Sequence, residues 1–381
     1  MFCSILSRPF GATLVFLAGL GFLPVVSHAQ TTEPTSTERV QIDVITTGLN
    51  YPWALTFLPD GRMLITERTG HLRLVTQDGV LLDRRVPGLP DIYVSGQGGL
   101  QDIALAPDFA TSQRVFFSYS CGTEQANHLC LASARFVDDS LSEVQEIFRT
   151  QPAKAGSAHY GGRMAFLPDQ TLLLTTGDGF DYREQAQNRT NTLGKIVRVE
   201  QDGSIPNDNP FLDQPEAAPE LYSLGHRNPQ GIVYDPITQQ VISHEHGPRG
   251  GDEVNRIQAG NNYGWPIVTT GLDYTGAMVT PFQQRAGMQE PLWTWTPSIA
   301  PSGLAVYTGD LFPQWRGHLF VTALAGKALH RLKWTGNQIL TEERLLVNLD
   351  ERLRDVRVGP DGAIYVLTDS AEGRLLRLTP N

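Results

Sequence analysis

The chain is poor in cysteine, with three among 381 residues, poor in methionine, with five, and short of positive charge: 30 lysines and arginines face 40 aspartates and glutamates. No long stretch carries apolar residues at helical spacing, so a helical bundle is excluded. Nor is there an apolar run of membrane-spanning length outside the first residues. The acidic balance excludes nucleic acid and anionic membrane surfaces as partners.

The one extended apolar run, Ala12 to Val26, follows Arg8 and ends at "SHA" before Gln30. Residues 1–29 therefore read as a secretory signal peptide rather than a retained anchor, and the protein as periplasmic or secreted. Removing the signal takes one arginine and no acid, leaving 29 basic residues against 40 acidic ones and a net charge near −11. It also removes Cys3, so Cys121 and Cys130 remain as a pair in an oxidising compartment. They read as a disulfide across "CGTEQANHLC", stapling a hairpin between "VFFSYS" and "LCLASARF"; two buried free thiols are the alternative. The polar "TEPTSTER" makes residues 30–39 a flexible lead-in, with order beginning near Val40.

What the sequence has in quantity is glycine, 37, and proline, 25, between short apolar runs. That punctuation predicts many short strands. The runs also repeat. "WALTFLPDGRMLITE" (53–67) has counterparts in "LQDIALAPDF" (100–109), "RMAFLPDQTLLLTTGD" (163–178), "GIVYDPITQQVISHE" (231–245), "GLAVYTGDLFPQWRGHLFVTAL" (303–324) and "LRDVRVGPDGAIYVLTD" (353–369). Each is an apolar strand, a Pro/Asp/Gly turn and, in most copies, a second strand. Six units with room for four strands each predict an all-β, six-bladed β-propeller of four-stranded antiparallel blades over residues 40–381, with a pair of β-sandwiches as the alternative. Ligands of such a ring bind at one mouth of the channel, where loops from several blades meet.

Four segments place polar groups among glycines near the starts of these units: "SGQGGLQD" with Gln97, "GSAHYGGR" with His159, "SLGHRNPQG" with Arg227 and Asn228, and "ERLRDV" with Arg352 and Arg354. His159 suits a general base, and Asp178, ending "TTGD", suits the carboxylate that fixes its tautomer. Arginines with an Asn and a Gln suit a planar polyanion. "SHEHGPRGGDEVNRIQAGNNYGW" offers carbonyls beside Asp252 and Glu253, a hard-oxygen set that fits calcium. His244 and His246 share a strand face, but no third soft ligand lies near to complete a zinc site. His226 reads as structural.

Taken in order, "GQGGLQDIALAPDF", "GHRNPQG", "HEHGPRGGDEVN", "NNYGWP", "WTPSIAPSG" and "RLRDVRVGPDGAIYVLTD" resemble the soluble pyrroloquinoline-quinone-dependent aldose sugar dehydrogenases, relatives of soluble quinoprotein glucose dehydrogenase, over nearly the whole mature chain. The resemblance implies a six-bladed propeller holding pyrroloquinoline quinone (PQQ) and calcium. It implies His159 as catalytic base, Asp178 as its orienting acid and Arg227 beside the reactive quinone carbonyl. Gln97, Asn228, Tyr274, Arg352 and Arg354 match cofactor contacts. Gly247 and Pro248 match calcium ligands of the glucose dehydrogenase branch, and Glu253 and Tyr263 those of the aldose branch; both sets stay open. The family's cofactor-binding lysine aligns with Ala325, and Lys327, two residues on and on the same strand face, is the substitute.

The implied reaction oxidises an aldose at C1 to the lactone. His159 takes the hydroxyl proton, hydride passes to the quinone, and electrons go on to an external acceptor from a monomer or homodimer. Trp293 and Trp295 fit either a sugar-stacking face or blade packing. A calcium-dependent propeller lactonase and a non-catalytic sugar-binding propeller are the rival functions.

Overall fold

A computed structural model describes residues 40–381; the segments expected to be a secretory signal and a lead-in lie outside the described residues. The six repeated segments form the first strands, or the first two, of six antiparallel sheets. Those sheets begin at Pro52–Phe57, Leu100–Leu105, Gly161–Phe166, Pro229–Asp235, Pro301–Val306 and Leu353–Val358, here blades 1 to 6. Each of these first strands packs beside the first strands of both neighbours, which closes a ring around a central axis. The architecture is a six-bladed β-propeller.

Five blades have four strands and blade 1 has three. In blade 1 an irregular segment runs along the outer edge instead: Leu81 bridges Val75, and the amides of Leu82 and Val86 donate to the carbonyls of Leu74 and Leu72. The edge is thereby covered without a regular strand. Blade 6 takes its outer strand from the other end of the chain, because Val40–Leu49 pairs with Gly373–Pro380 in antiparallel register from Val40 opposite Pro380 to Leu49 opposite Gly373.

The second strands depart from the alternation expected of a half-buried strand. Met63–Glu67, Leu172–Thr176 and Leu319–Ala323 are buried at every position. Blades stack face to face, so both faces of a second strand meet apolar neighbours and near-continuous apolar runs result. Trp295 packs in this inter-blade core, with Leu304, Val321 and Ile242, and its indole donates to Glu342 Oε1 at 2.7 Å. Trp293 and Trp295 lie on the outermost strand of blade 4, which makes them packing residues.

Every blade carries a register shift near the start of its first strand. The residues without a ladder partner there are Trp53, Gln101 and Asp102, Gly162 and Arg163, Gln230, Ser302 and Gly303, and Arg354. A bulge bends the strand and re-aims its side chain. Here it turns six sets of groups toward the axis. Hydroxyls from the second strands hold the bulged backbone: Thr66 accepts from the Ala54 amide, Ser118 from Asp102, Thr175 from Arg163 and Thr322 from Gly303.

The guanidinium of Arg163 sits at the meeting point. Nε donates to Gln230 O at 2.9 Å, and Nη2 to Ser302 O at 3.0 Å and Arg354 O at 3.2 Å. Nη1 is 2.9 Å from Asp355 and 3.5 Å from Asp102, and the group lies over the Trp53 ring at 4.0 Å. One cation thus touches every other blade of the ring. Burial pulls the Arg163 pKa down from its ordinary value, and Asp355 and Asp102 oppose that pull. Arg357 bridges the same two carboxylates at 2.9 and 3.0 Å.

Cys121 and Cys130 form the expected disulfide, with Cα atoms 6.1 Å apart, across the hairpin of Arg114–Gly122 and Asn127–Val137.

Candidate active site

Because the strands of a blade are antiparallel, the start of each first strand and the end of each second strand lie at the same end of the ring. All the polar segments singled out in the sequence fall there. Gln97, Asn228, Arg352 and Arg354 line one cavity of about 210 Å³ at the channel mouth. Its floor and walls add Trp53, Gln101, Tyr160, Gln230 and Arg68. Three arginines and no carboxylate line it, so the cavity suits a polyanion. Asp369 stands behind, 2.9 Å from Arg352 and 3.4 Å from Arg354. Arg354 is buried, which pulls its pKa down to about 10, and its Nε has no partner. A buried donor without an acceptor is costly, so a ligand acceptor at this point would relieve a standing penalty.

His159 stands at the rim with a left-handed backbone, φ 53°. Its amide donates to Gln97 Oε1 at 2.8 Å, and Gly177 lets the next strand approach, since a Cβ there would lie 2.1 Å from His159 O. His159 Nδ1 is 2.7 Å from Asp178 Oδ1, and both side chains are buried. A carboxylate only accepts, so the proton sits on Nδ1 and the Nε2 lone pair remains the basic atom. Trp265 Nε1 donates to Asp178 Oδ2 at 2.8 Å and the Phe180 amide to Oδ1 at 2.8 Å, which fixes the carboxylate from both sides. Burial pulls the His159 pKa below 6.5; the Asp178 hydrogen bond opposes this and the Arg227 charge adds to it.

Arg227 links this pair to two further cavities. Its Nη1 donates to Gly247 O at 2.7 Å and its Nη2 to the Tyr274 hydroxyl at 3.3 Å. On one side a cavity of about 290 Å³ is lined by Phe180, Arg183, Pro248, Trp265, Asp273 and Tyr274. On the other a space of about 10 Å³ is enclosed by Glu245, Gly247, Glu253, Tyr263 and their neighbours. That is about the volume of one water or ion. Gly247, Glu253 and Tyr263, drawn from the two alternative calcium sets, therefore share one small space, and Pro248 faces the larger cavity. Glu245 and Glu253 are register partners on adjacent strands. Burial first, and then the Glu245 charge, push the Glu253 pKa up to about 8.

Other residues are committed elsewhere. Asp252 accepts from Ser298 Oγ and from the amides of Gly247, Ile299 and Ala300, so it staples the loop. His226 is structural, held between Glu245 at 2.9 Å and Ser223 at 2.9 Å and stacked on Tyr263. His244 and His246 spend their Nε2 atoms on the carbonyls of Gly303 and Pro301. Lys327 is half exposed and pairs with Asp350 at 2.9 Å, outside the lining of the central cavity. Among the described residues, the grouping of three potential metal ligands is Cys121, Cys130 and Glu146, and its sulfurs are bonded to each other. Sequence reasoning passed over Glu245, Trp265, Phe180 and Arg68. Glu245 is spelled out in "SHEHGPRGG" between two histidines, and its pairing with Glu253 needs only the strand register to be seen.

A propeller with a basic cavity at one mouth, and a buried His–Asp pair at its rim, has the architecture of an enzyme. The chain belongs to the glucose/sorbosone dehydrogenase family, whose model matches residues 49–377. It is 41% identical to the aldose sugar dehydrogenase YliI of Escherichia coli, over 90% of this chain and 93% of that one. The apo-form structure of the soluble aldose sugar dehydrogenase from Escherichia coli superimposes with a TM-score of 0.87 at 40% identity, covering 90% of this chain and all of that one. The PQQ-bound aldose sugar dehydrogenase of Streptomyces coelicolor superimposes with a TM-score of 0.73 at 28% identity, covering 91% of this chain and 100% of that one.

Proposed function

We propose that this chain is a PQQ-dependent aldose dehydrogenase that oxidises sugars at C1 to lactones and passes the electrons to an external acceptor. The observation that carries the reading is the adjacency of a carboxylate-free cavity holding Arg68, Arg352 and Arg354 to a buried His159–Asp178 pair. PQQ, when bound, supplies the two-electron acceptor that no side chain of this protein can provide. Its carboxylates match the arginines, and the unpartnered Nε of Arg354 is a donor awaiting such a group. Gln97 and Asn228 line the same cavity and would hold its edges, while Tyr274 lines the neighbouring one and Lys327 is paired with Asp350.

The protein's share of the chemistry is proton handling and electrostatics. His159 Nε2 accepts the proton of the C1 hydroxyl, and Asp178 stabilises the imidazolium that results. Arg227, fixed by Gly247 O and Tyr274, would offer positive charge to the negative charge that develops in the reaction. Calcium would be held at the small space lined by Glu253, Gly247 and Tyr263, where a divalent ion would take the place of the proton that burial favours on Glu253 and offset the charge of Glu245. The disulfide supports export to the periplasm or beyond, and no helix among the described residues is long and apolar enough to cross a membrane.

The test is to load purified protein with PQQ and calcium and follow dye reduction across a panel of aldoses. Sugar-dependent reduction that needs the quinone is the expected outcome. Tight quinone binding with no sugar-dependent reduction would defeat the assignment.

A further inference from the structure

Phe180 is placed against its own preferences. Its backbone lies in the left-handed region, φ 70°, and its apolar ring is 44% exposed. A bulky residue seldom adopts that region, and strain of this kind persists where the surroundings enforce it. The enforcement is visible: the Phe180 amide donates to the same Asp178 oxygen that accepts from His159. Folding alone would be served better by glycine, as at Gly179, whose φ is 76°.

The ring stands edge-on to the His159 imidazole, centroids 5.0 Å apart, and nearly parallel to Tyr274 at 6.2 Å. It therefore presents apolar surface to the 290 Å³ cavity on one side and meets the imidazole of His159 on the other. Asp181 and Arg183 border the same cavity and supply a polar rim. A pyranose has the complementary form, with C–H groups on its faces and hydroxyls at its edge, and a cavity with an aromatic wall and a few polar groups is how such a molecule is oriented.

We propose that Phe180 is the sugar platform of this enzyme, packing against the C–H face of the aldose while Asp181 accepts from its hydroxyls, so that C1 is delivered to His159. The assignment rests on the dehydrogenase reading above and adds to it the residue that positions the substrate. Phe180 is a positioning and specificity residue; the proton still moves to His159.

Glycine accepts φ 70°, so Phe180→Gly removes the ring without straining the turn. Two measurements test it: steady-state kinetics on the PQQ-loaded protein, and sugar titration of the cofactor-free protein followed by the fluorescence of Trp265, which lines the same cavity. Loss of a ring contact of this kind should cost about tenfold in kcat/KM, carried by KM, and weaken the fluorescence titration by a similar factor. Phe180→Tyr, which keeps the ring, should restore both, and the quinone Kd should hold in all three proteins. An unchanged KM in Phe180→Gly, or a tenfold rise in quinone Kd with no change in the sugar titration, would overturn the platform. A wild-type protein that binds sugar through Phe180 but reduces no dye would support the platform and overturn the dehydrogenase.

Discussion

At the scale of single residues, the proposed active site depends on one proton being kept off one atom. His159 is buried beside Arg227, and both effects favour the neutral ring; Asp178 opposes them but fixes the tautomer that leaves Nε2 free. In the proposed reaction the base is needed unprotonated, and burial pulls its pKa down from 6.5, so kcat/KM should be level at neutral pH and fall with acid only below pH 6.5. His159→Ala should abolish that acid limb and lower kcat by about 10²–10⁴, and Asp178→Asn should lower kcat on the same scale through loss of the tautomer. A pH–rate profile on the three proteins checks both. The meeting of His159 with Asp178 was legible in the sequence because one lies in a glycine-rich segment just before a repeated strand and the other ends the strand that follows. Phe180 was not, because a strained backbone angle leaves no mark on composition.

At the scale of elements, the inner strands are shaped by their bulges. The sequence showed where each inner strand ends through its Pro/Asp/Gly turn, and all six segments proved to be blade strands. It did not show that each would slip register near its start, since a bulge breaks the very alternation by which a strand is recognised. Arg163 and Asp102 were invisible for that reason, though both stand inside quoted motifs. Trp293 and Trp295 were ambiguous until their strand was seen to be outermost. The hairpin disulfide belongs to this scale as well. Its sequence separation of nine closes a short loop, and its replacement by two serines should cost about 2–3 kcal/mol in a reversible urea unfolding titration, with the m-value raised or unchanged. A cost below about 0.5 kcal/mol would mean that the hairpin holds its form through its nine-pair ladder alone.

At the scale of the whole molecule, the ring is fastened in two places. One is the axis, where Arg163 reaches every other blade. Replacing it by methionine keeps most of the volume but leaves Asp102 and Asp355 facing Arg357 alone, and the expected loss is about 3–5 kcal/mol. Thermal unfolding should remain a single transition at lower temperature, since no blade would be spared. Two transitions would mean that the blades are not coupled through the axis.

The other fastening is the rim, where the first described strand, Val40–Leu49, is the edge of a sheet whose remaining strands are Leu353–Val358, Ile364–Thr368 and Gly373–Pro380. That pairing joins residues at opposite ends of the sequence, and its loop entropy is paid only when the whole chain is present. A nascent chain still lacking Gly373–Pro380 has five blades in hand and nothing for its first strand to pair with. Arrival of Gly373–Pro380, rather than the folding of any single blade, therefore sets the moment at which the ring can shut.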